Sequence, residues 1–174
     1  MAIKEILKLG NPELFKACKK VEKLDSNETL QTIQDLKDTL QNFQKINGFG
    51  RAIAAPQIGI IERIIFVDFP TENLFGPLIN PKIVWQSQEK IQLWDDCFSF
   101  PELLVKVERA KEIKVEYSTP FGEVASISAK NDFSELLQHE IDHLDGILSV
   151  QRAIGGTAFA LRSEWKKLGK NGSS

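Results

Sequence analysis

Residues 138–146 read QHEIDHLDG, and this stretch decides the fold. His139 and His143 are four residues apart, so on a helix both imidazoles stand on one face and can bind one ion. Glu140 lies between them, where its carboxylate can accept a proton from water that a metal activates. The chain contains no other histidine. The stretch therefore predicts a metal-binding helix at the centre of a hydrolase.

The helix that carries this stretch is predicted to run from Phe133 to about Asp145. Asp132 or Ser134 can begin the helix, because short polar side chains accept a hydrogen bond from the first free backbone N–H groups. Gly146 is expected to close it, since glycine adopts the left-handed conformation at a helix end without strain.

Two further helices are predicted nearer the ends of the chain. The first runs from Ser26, which can cap it, to about Ile46. Its apolar residues fall on one face, namely Leu30, Ile33, Leu40 and Phe43. The second helix is predicted to cover Thr157 to Leu168.

The middle of the chain has the short apolar runs and the alternation of apolar and polar residues that predict strands. The predicted strands cover Ile61–Phe69, Leu78–Pro81 with Ile83–Trp85, Lys90–Leu93, Leu103–Val107, Glu112–Tyr117 and Val124–Ala129. The last two are joined by a turn at Thr119–Glu123. Strands in the middle and helices at both ends indicate an α+β fold, with mostly antiparallel sheets around the metal-binding helix.

The length of 174 residues suits one domain over residues 1–174, with a frayed tail expected at 169–174. A net charge of -2, with no basic run, gives no reason to expect a nucleic acid or a membrane as partner. Residues 1–8 mix charged and apolar residues, and no apolar signal segment follows them. We therefore expect a cytoplasmic protein.

Two histidines leave a catalytic metal short of the third protein ligand that such sites usually have. The metzincin pattern HExxHxxGxxH would put a third histidine where this chain has Ser149, so that pattern fails. Glu164 could serve as the third ligand on a later helix, as in gluzincin proteases. Cys97 is the other candidate, because a thiolate binds such ions well.

Three segments of the chain, taken together, resemble the peptide deformylase family. Residues 50–57 read GRAIAAPQ where the family has GxGxAAxQ, and residues 95–99 read DDCFS where it has EGCLS. Residues 138–146 match the third motif, QHExDHLxG, in full. The motifs agree in order and spacing, and the similarity covers almost the whole chain. The resemblance implies removal of the N-formyl group from the N-terminal methionine of newly made polypeptides, with release of formate.

The resemblance also implies the metal ligands and the partners. Cys97, His139 and His143 would hold one divalent ion, with Fe(II) expected as the native metal and Zn, Ni or Co able to replace it. The expected partner is an N-formylated peptide, met at the ribosome, without direct recognition of nucleic acid. A monomer or a weak dimer is expected.

The catalytic residues follow from the same motifs. Glu140 would accept a proton from water and pass it to the departing amine. The side-chain amide of Gln57 and the backbone N–H of Phe98 would stabilise the negative oxygen of the tetrahedral intermediate.

The departures from the family pattern fall around the substrate and not around the metal. In the first motif Arg51 replaces an apolar residue and Ala52 replaces a glycine. In the second motif Asp95 replaces a glutamate, which shortens its reach, and Asp96 replaces a glycine. We expect the changed residues to lie at the substrate-binding surface.

The helix before His139 carries the remaining residues that we expect to bind substrate, Asp132, Glu135 and Leu136. In the family this stretch is apolar and receives the methionine side chain. A carboxylate in an apolar pocket is costly unless it is paired, so Arg51 is expected to neutralise Glu135 or Asp132. Two alternative functions stay open: an amidase with altered specificity, and a relative that binds metal or peptide without turnover.

Overall fold

The computed structural model describes residues 3–167, so the tail predicted at 169–174 lies outside the described residues. The described part contains three helices and eight strands. The helices are α1 (Asn27–Asn47), α2 (Asn131–Leu144) and α3 (Arg162–Lys167). The strands are β1 (Ala52–Ala54), β2 (Ile64–Phe69), β3 (Leu74–Gln86), β4 (Lys90–Asp96), β5 (Leu103–Ala110), β6 (Glu112–Ser118), β7 (Val124–Lys130) and β8 (Phe159–Leu161).

The strands form two sheets. One has the order β1-β2-β3-β6-β7 and the other the order β4-β5-β8, and each pairing is antiparallel. Helix α2 contacts both sheets, because Leu137 and Ile141 pack into the apolar core of the larger sheet while Gln138 binds backbone groups of Ala110 in β5. The predicted α+β fold, with antiparallel sheets around the metal-binding helix, is confirmed.

Helix α2 is buried on nearly all sides, with every residue from Phe133 to Leu144 shielded from solvent. Its start differs from the prediction: it begins at Asn131, and neither Asp132 nor Ser134 caps it. The Ser134 hydroxyl donates to the carbonyl of Ala110 instead, because a neighbouring strand supplies an acceptor. Its end is as predicted. Gly146 has φ +73°, and a Cβ there would come within 2.6 Å of the Phe15 carbonyl oxygen.

Helix α1 covers the outer face of the larger sheet. Ser26 caps it by accepting from the Thr29 N–H at 3.1 Å, as predicted. Leu40 and Phe43 are buried in the core, but Leu30 is 45% exposed, so the predicted apolar face is wrong at its first turn. The reason is the position of Leu30 around the helix: Thr29 and Thr32 occupy the buried face of the first turns, and Leu36 continues that face.

The predicted strands are all present, and most are longer than the sequence pattern indicated. The C-terminal prediction is wrong in part, because residues 159–161 form strand β8 along β5 and the helix begins only at Arg162. The open edge of β5 supplies backbone partners that outweigh the local helical tendency. Within residues 3–167, no helix combines the length and apolar character needed to cross a membrane.

Candidate active site

Three segments meet in one pocket, which we call the active-site pocket. Helix α2, the loop after β4 and the segment around β1 each contribute side chains. It is lined by Gly50, Arg51, Ala52, Gln57, Asp96, Cys97, Phe98, Glu135, Leu136, His139 and Glu140. Its cavity volume is about 20 Å³. That is room for about one water molecule, so the side chains fill most of the space.

Cys97, His139 and His143 form a buried cluster of metal-ligating atoms. The His143 Nε2 atom lies 3.2 Å from the Cys97 Sγ atom and 3.2 Å from the His139 Nε2 atom. Tetrahedral bonds of about 2.1 Å to nitrogen and 2.3 Å to sulfur put ligand atoms roughly 3.3 to 3.6 Å apart, so the donor set fits one divalent ion.

Glu164, the other candidate third ligand, lies outside this cluster. Its side chain is 62% exposed and pairs with Lys167 on α3. The gluzincin alternative is therefore wrong, because helix α3 points its first acidic residue to solvent and not to the histidines.

Asp95 lies behind His139 and not at the substrate surface, which corrects the prediction for this residue. Its carboxylate accepts from the His139 Nδ1 atom at 2.8 Å and from Arg109 at 3.2 Å. Arg109 also binds Asp142, which pairs with Arg152 at 2.8 Å. A carboxylate on Nδ1 orients the imidazole and leaves Nε2 free to bind a metal. The shorter aspartate reaches because β4 brings its backbone close to the helix.

The two histidines differ in ionisation. Against the lowering effect of burial, Asp95 raises the pKa of His139 well above its usual value, so a metal would displace a proton from this ring. Burial, reinforced by the neighbouring His139, lowers the pKa of His143 well below its usual value and keeps the ring neutral, as a ligand must be. Burial raises the pKa of Glu140 to about 7. Its Oε2 atom is buried and has no hydrogen-bond partner among the described residues, so it is available to a ligand.

Gln57 lies beside Cys97, on the opposite side of the pocket from the helix. Its Oε1 atom accepts from the Ala54 N–H at 2.9 Å, which fixes the orientation of the amide. Its Nε2 atom then faces the cysteine, donating to the Ser99 hydroxyl at 3.3 Å and lying 3.6 Å from the Cys97 Sγ atom. The amide therefore presents its donor to the active-site pocket.

Phe98 contributes its backbone to the pocket and its ring to the core. The ring stacks on Phe43 with centroids 3.7 Å apart. It also covers Gly50, where a Cβ would meet the ring at 2.5 Å and where φ is +124°. Among the described residues no acceptor binds the Phe98 N–H. The packing of the ring thus holds a free N–H donor beside Cys97.

Arg51 and Glu135 form an ion pair in the active-site pocket, with 3.0 Å between the Arg51 Nη2 and Glu135 Oε2 atoms. Their side chains are 16% and 5% exposed. Of the two partners expected for Arg51, Glu135 and Asp132, the structure places Glu135 beside it. Burial and the negative charge of Asp95 raise the pKa of Glu135 to about 8, against the lowering effect of Arg51.

Asp132 does not join this pocket, contrary to the prediction. It lies at the exposed start of α2 and lines a separate surface cleft with Lys130 and Phe133. The helix begins earlier than expected, which turns this carboxylate outward. Ala52 and Leu136 line the active-site pocket, and their role in binding substrate stays a prediction.

Two arginines near the site, Arg109 and Arg162, were not predicted from the sequence. Arg109 sits in a strand of alternating residues, and only its need for buried carboxylate partners could have indicated its place. Arg162 reaches Asp96 across 66 residues of sequence and belongs to none of the three motifs. No local pattern predicts such a contact.

An HExxH helix completed by a cysteine, in an α+β fold with antiparallel sheets, defines the chain as a metal-dependent hydrolase. The model of the polypeptide deformylase family matches residues 3–157. The chain therefore belongs to the polypeptide deformylase family, metal-dependent enzymes that remove the N-formyl group from nascent peptides.

Individual relatives agree with this assignment. The chain is 36% identical over 162 residues to a peptide deformylase of Pseudothermotoga lettingae, covering 93% of this chain and 90% of the relative. Among solved structures, the Thermotoga maritima peptide deformylase has a TM-score of 0.81 at 32% identity, covering 89% of this chain and 100% of the other. A peptide deformylase of Ehrlichia chaffeensis in complex with actinonin has a TM-score of 0.79 at 31% identity, covering 87% and 89%.

Proposed function

We propose that the active-site pocket hydrolyses the N-formyl amide on the N-terminal methionine of newly made polypeptides, producing formate and a free amine. The observation that carries the proposal is the buried donor set of Cys97, His139 and His143 beside Glu140, whose Oε2 atom has no partner among the described residues. A site that only bound metal would have no use for that carboxylate.

Cys97, His139 and His143 would hold one divalent ion, with Fe(II) as the native metal and Zn, Ni or Co as replacements. When bound, the ion supplies Lewis acidity, which polarises the formyl carbonyl and lowers the pKa of water. Asp95 supports the ligand set because it holds the His139 ring with Nε2 directed at the cysteine.

The protein groups divide the proton transfer and the charge stabilisation between them. Glu140 accepts the proton of the attacking water and delivers it to the departing nitrogen. The Gln57 Nε2 atom and the Phe98 N–H donate to the oxygen that becomes negative in the transition state. Both donors are held in place before the substrate arrives, which is what makes such stabilisation effective.

The sheet edges favour an extended peptide substrate. Strands β1 and β4 are edge strands of the two sheets, and both border the active-site pocket. A peptide could pair with such an edge through its backbone, with its formyl end at Cys97. We propose the same setting as for the family reaction: nascent chains at the ribosome in the cytoplasm, no direct recognition of nucleic acid, and a monomer or weak dimer.

The test is formate release from a formyl-methionyl peptide by protein loaded anaerobically with Fe(II). Glu140→Ala, which should retain the metal, is the control. Release by the wild type, lost in the variant at equal metal content, is the expected result. Metal bound at the cluster without formate release by the wild type would overturn the proposal in favour of a relative that binds without turnover.

A second candidate, a deformylase with altered specificity, is favoured by the Arg51–Glu135 ion pair. The pair fills the pocket where the family receives a methionine side chain, and the free volume is about 20 Å³. The two candidates are separated by comparing kcat/KM for formyl-methionyl peptides with kcat/KM for formyl peptides that begin with glycine, serine or lysine. An exclusive preference for formyl-methionine would exclude this one.

A further inference from the structure

Arg162, the first residue of α3, contacts Asp96 of the second motif and Phe49, the residue directly before the first motif. Its Nη2 atom donates to the Asp96 carboxylate at 2.6 Å, and its Nε atom donates to the Pro101 carbonyl at 2.7 Å. Its guanidinium carbon lies 4.4 Å from the centroid of the Phe49 ring. Arg162 lies beyond residues 3–157, the part of the chain that the family model matches.

We infer that Arg162 is a positioning residue, which holds Asp96 and the loop 97–101 that follows it, so that the Phe98 N–H faces the reacting carbonyl. The inference rests on the proposed function, because it concerns the same site. Residues 97–101 follow the last residue of β4 and have no regular secondary structure, so contacts from other segments fix their position.

The anchors of this loop divide into its middle and its ends. The middle is held by the N-terminal segment, where Lys8 donates to the Phe98 carbonyl at 3.0 Å and the Leu9 N–H donates to the Ser99 carbonyl at 2.9 Å. Gln57 adds a bond to the Ser99 hydroxyl at 3.3 Å. At the two ends, the Arg162 side chain is the only one among the described residues that binds Asp96 and Pro101. The backbone adds the pairing of Asp96 with β5 and a bond from the Arg162 N–H to the Glu102 carbonyl at 2.8 Å. One planar guanidinium with donors in a fixed fork suits two acceptors at a set separation.

The second effect of Arg162 is electrostatic. Asp96 lines the active-site pocket next to Cys97, and its side chain is 16% exposed. An unpaired carboxylate there would repel the oxygen that becomes negative during hydrolysis. Arg162, itself 11% exposed, neutralises that charge. A carboxylate in this position is therefore compatible with catalysis only while the arginine is bound to it.

The stacking on Phe49 links this loop to the first motif. Phe49 directly precedes Gly50 and Arg51, which line the other side of the pocket. A cation above an aromatic face is attracted to it, so Arg162 holds both walls at a set distance. Strand β8 makes this possible, because its pairing with β5 delivers Arg162 to the end of the loop.

Arg162→Gln and Arg162→Lys test the inference in the metal-loaded enzyme. Arg162→Gln should lower kcat by about ten- to hundredfold with a smaller change in KM, because the donor is misplaced in the transition state. Amide hydrogen exchange in residues 97–103 should become faster. Arg162→Lys should recover part of kcat, since a lysine can neutralise Asp96 but cannot bind both acceptors.

Arg63→Gln is the matched control. Arg63 also binds one carboxylate, Asp145, and the backbone carbonyls of Leu144 and Pro81, but it does not line the active-site pocket. The Arg63→Gln variant should lose thermal stability, while its kcat and its amide hydrogen exchange in residues 97–103 stay unchanged.

The inference is overturned if Arg162→Gln keeps the wild-type kcat and exchange, or if Arg63→Gln changes both as strongly. Failure of the proposed function is a separate outcome: the wild type itself would then release no formate. Hydrogen exchange still tests the positioning of the loop in that case, because it does not depend on turnover.

Discussion

Replacing Arg51 by isoleucine removes the only cation within ion-pair distance of Glu135 among the described residues. The Glu135 side chain is 5% exposed, so its carboxylate would stay buried without compensation. Breaking a buried ion pair in this way costs about 3–5 kcal/mol. We therefore expect Arg51→Ile to lower the free energy of unfolding by up to that amount above pH 8, because the pKa of Glu135 is about 8 and its carboxyl is mostly ionised only above that pH.

The double variant Arg51→Ile/Glu135→Ile behaves differently, because it leaves no buried charge. Replacement of a buried pair by apolar residues of similar size is neutral or stabilising by about 1–4 kcal/mol. It also replaces the two paired charged side chains of the pocket, Arg51 and Glu135, by apolar ones. Burial of a methionine side chain there is worth about 1.5–3 kcal/mol. This corresponds to a gain of roughly ten- to 160-fold in kcat/KM for formyl-methionyl peptides.

Urea unfolding of the wild type, both single variants and the double variant completes a thermodynamic cycle for stability. Steady-state rates on formyl-methionyl and formyl-seryl peptides give the matching cycle for specificity. The reasoning is refuted if Arg51→Ile unfolds at the wild-type urea concentration, or if the double variant gains no rate on formyl-methionine.

Four further outcomes are expected. Asp95→Asn should weaken metal binding by about 10- to 100-fold in a chelator competition, because the orienting carboxylate on His139 is lost. Glu140→Gln should lower kcat by about 10²- to 10⁴-fold at unchanged metal content. Because the pKa of Glu135 is raised to about 8, the free energy of unfolding of the wild type should fall as pH rises from 4.5 to 8. Glu135→Gln should lack this fall, and urea titrations at several pH values should detect the difference between the two proteins. Leu40→Ala should cost about 2–5 kcal/mol in the same titrations, because Leu40 is fully buried. These expectations are contradicted if Asp95→Asn keeps its metal affinity or if Glu140→Gln keeps its kcat. They are also contradicted if Glu135→Gln keeps the pH dependence of unfolding or if Leu40→Ala is as stable as the wild type.

The helices and strands were predictable wherever the deciding interactions are local. Ser26 caps α1 and Gly146 ends α2 because both act on backbone groups a few residues away. The predicted burial of Leu30 and the predicted helix over residues 157–161 were wrong, because the environment of these residues is set by other segments. The packing of α1 buries Thr29 and Thr32 instead of Leu30, and β8 forms because β5 has an open edge.

The site residues also fall into those placed by local interactions and those placed by contacts between distant segments. The spacing of His139, Glu140 and His143 on one helix is a local property, and so their juxtaposition followed from the sequence by itself. The approach of Arg51 to Glu135 could be expected from the cost of a buried unpaired carboxylate, although 84 residues separate them.

Only the tertiary structure decided which groups surround that helix. In the tertiary structure Asp132 lies at the surface, and Asp95 lies behind His139 instead of against the substrate. The tertiary structure also brings Arg109 and Arg162 to their carboxylates, over 14 and 66 residues of sequence. Helical periodicity fixes neighbours within a few residues, whereas contacts between distant segments depend on how the two sheets pack around α2.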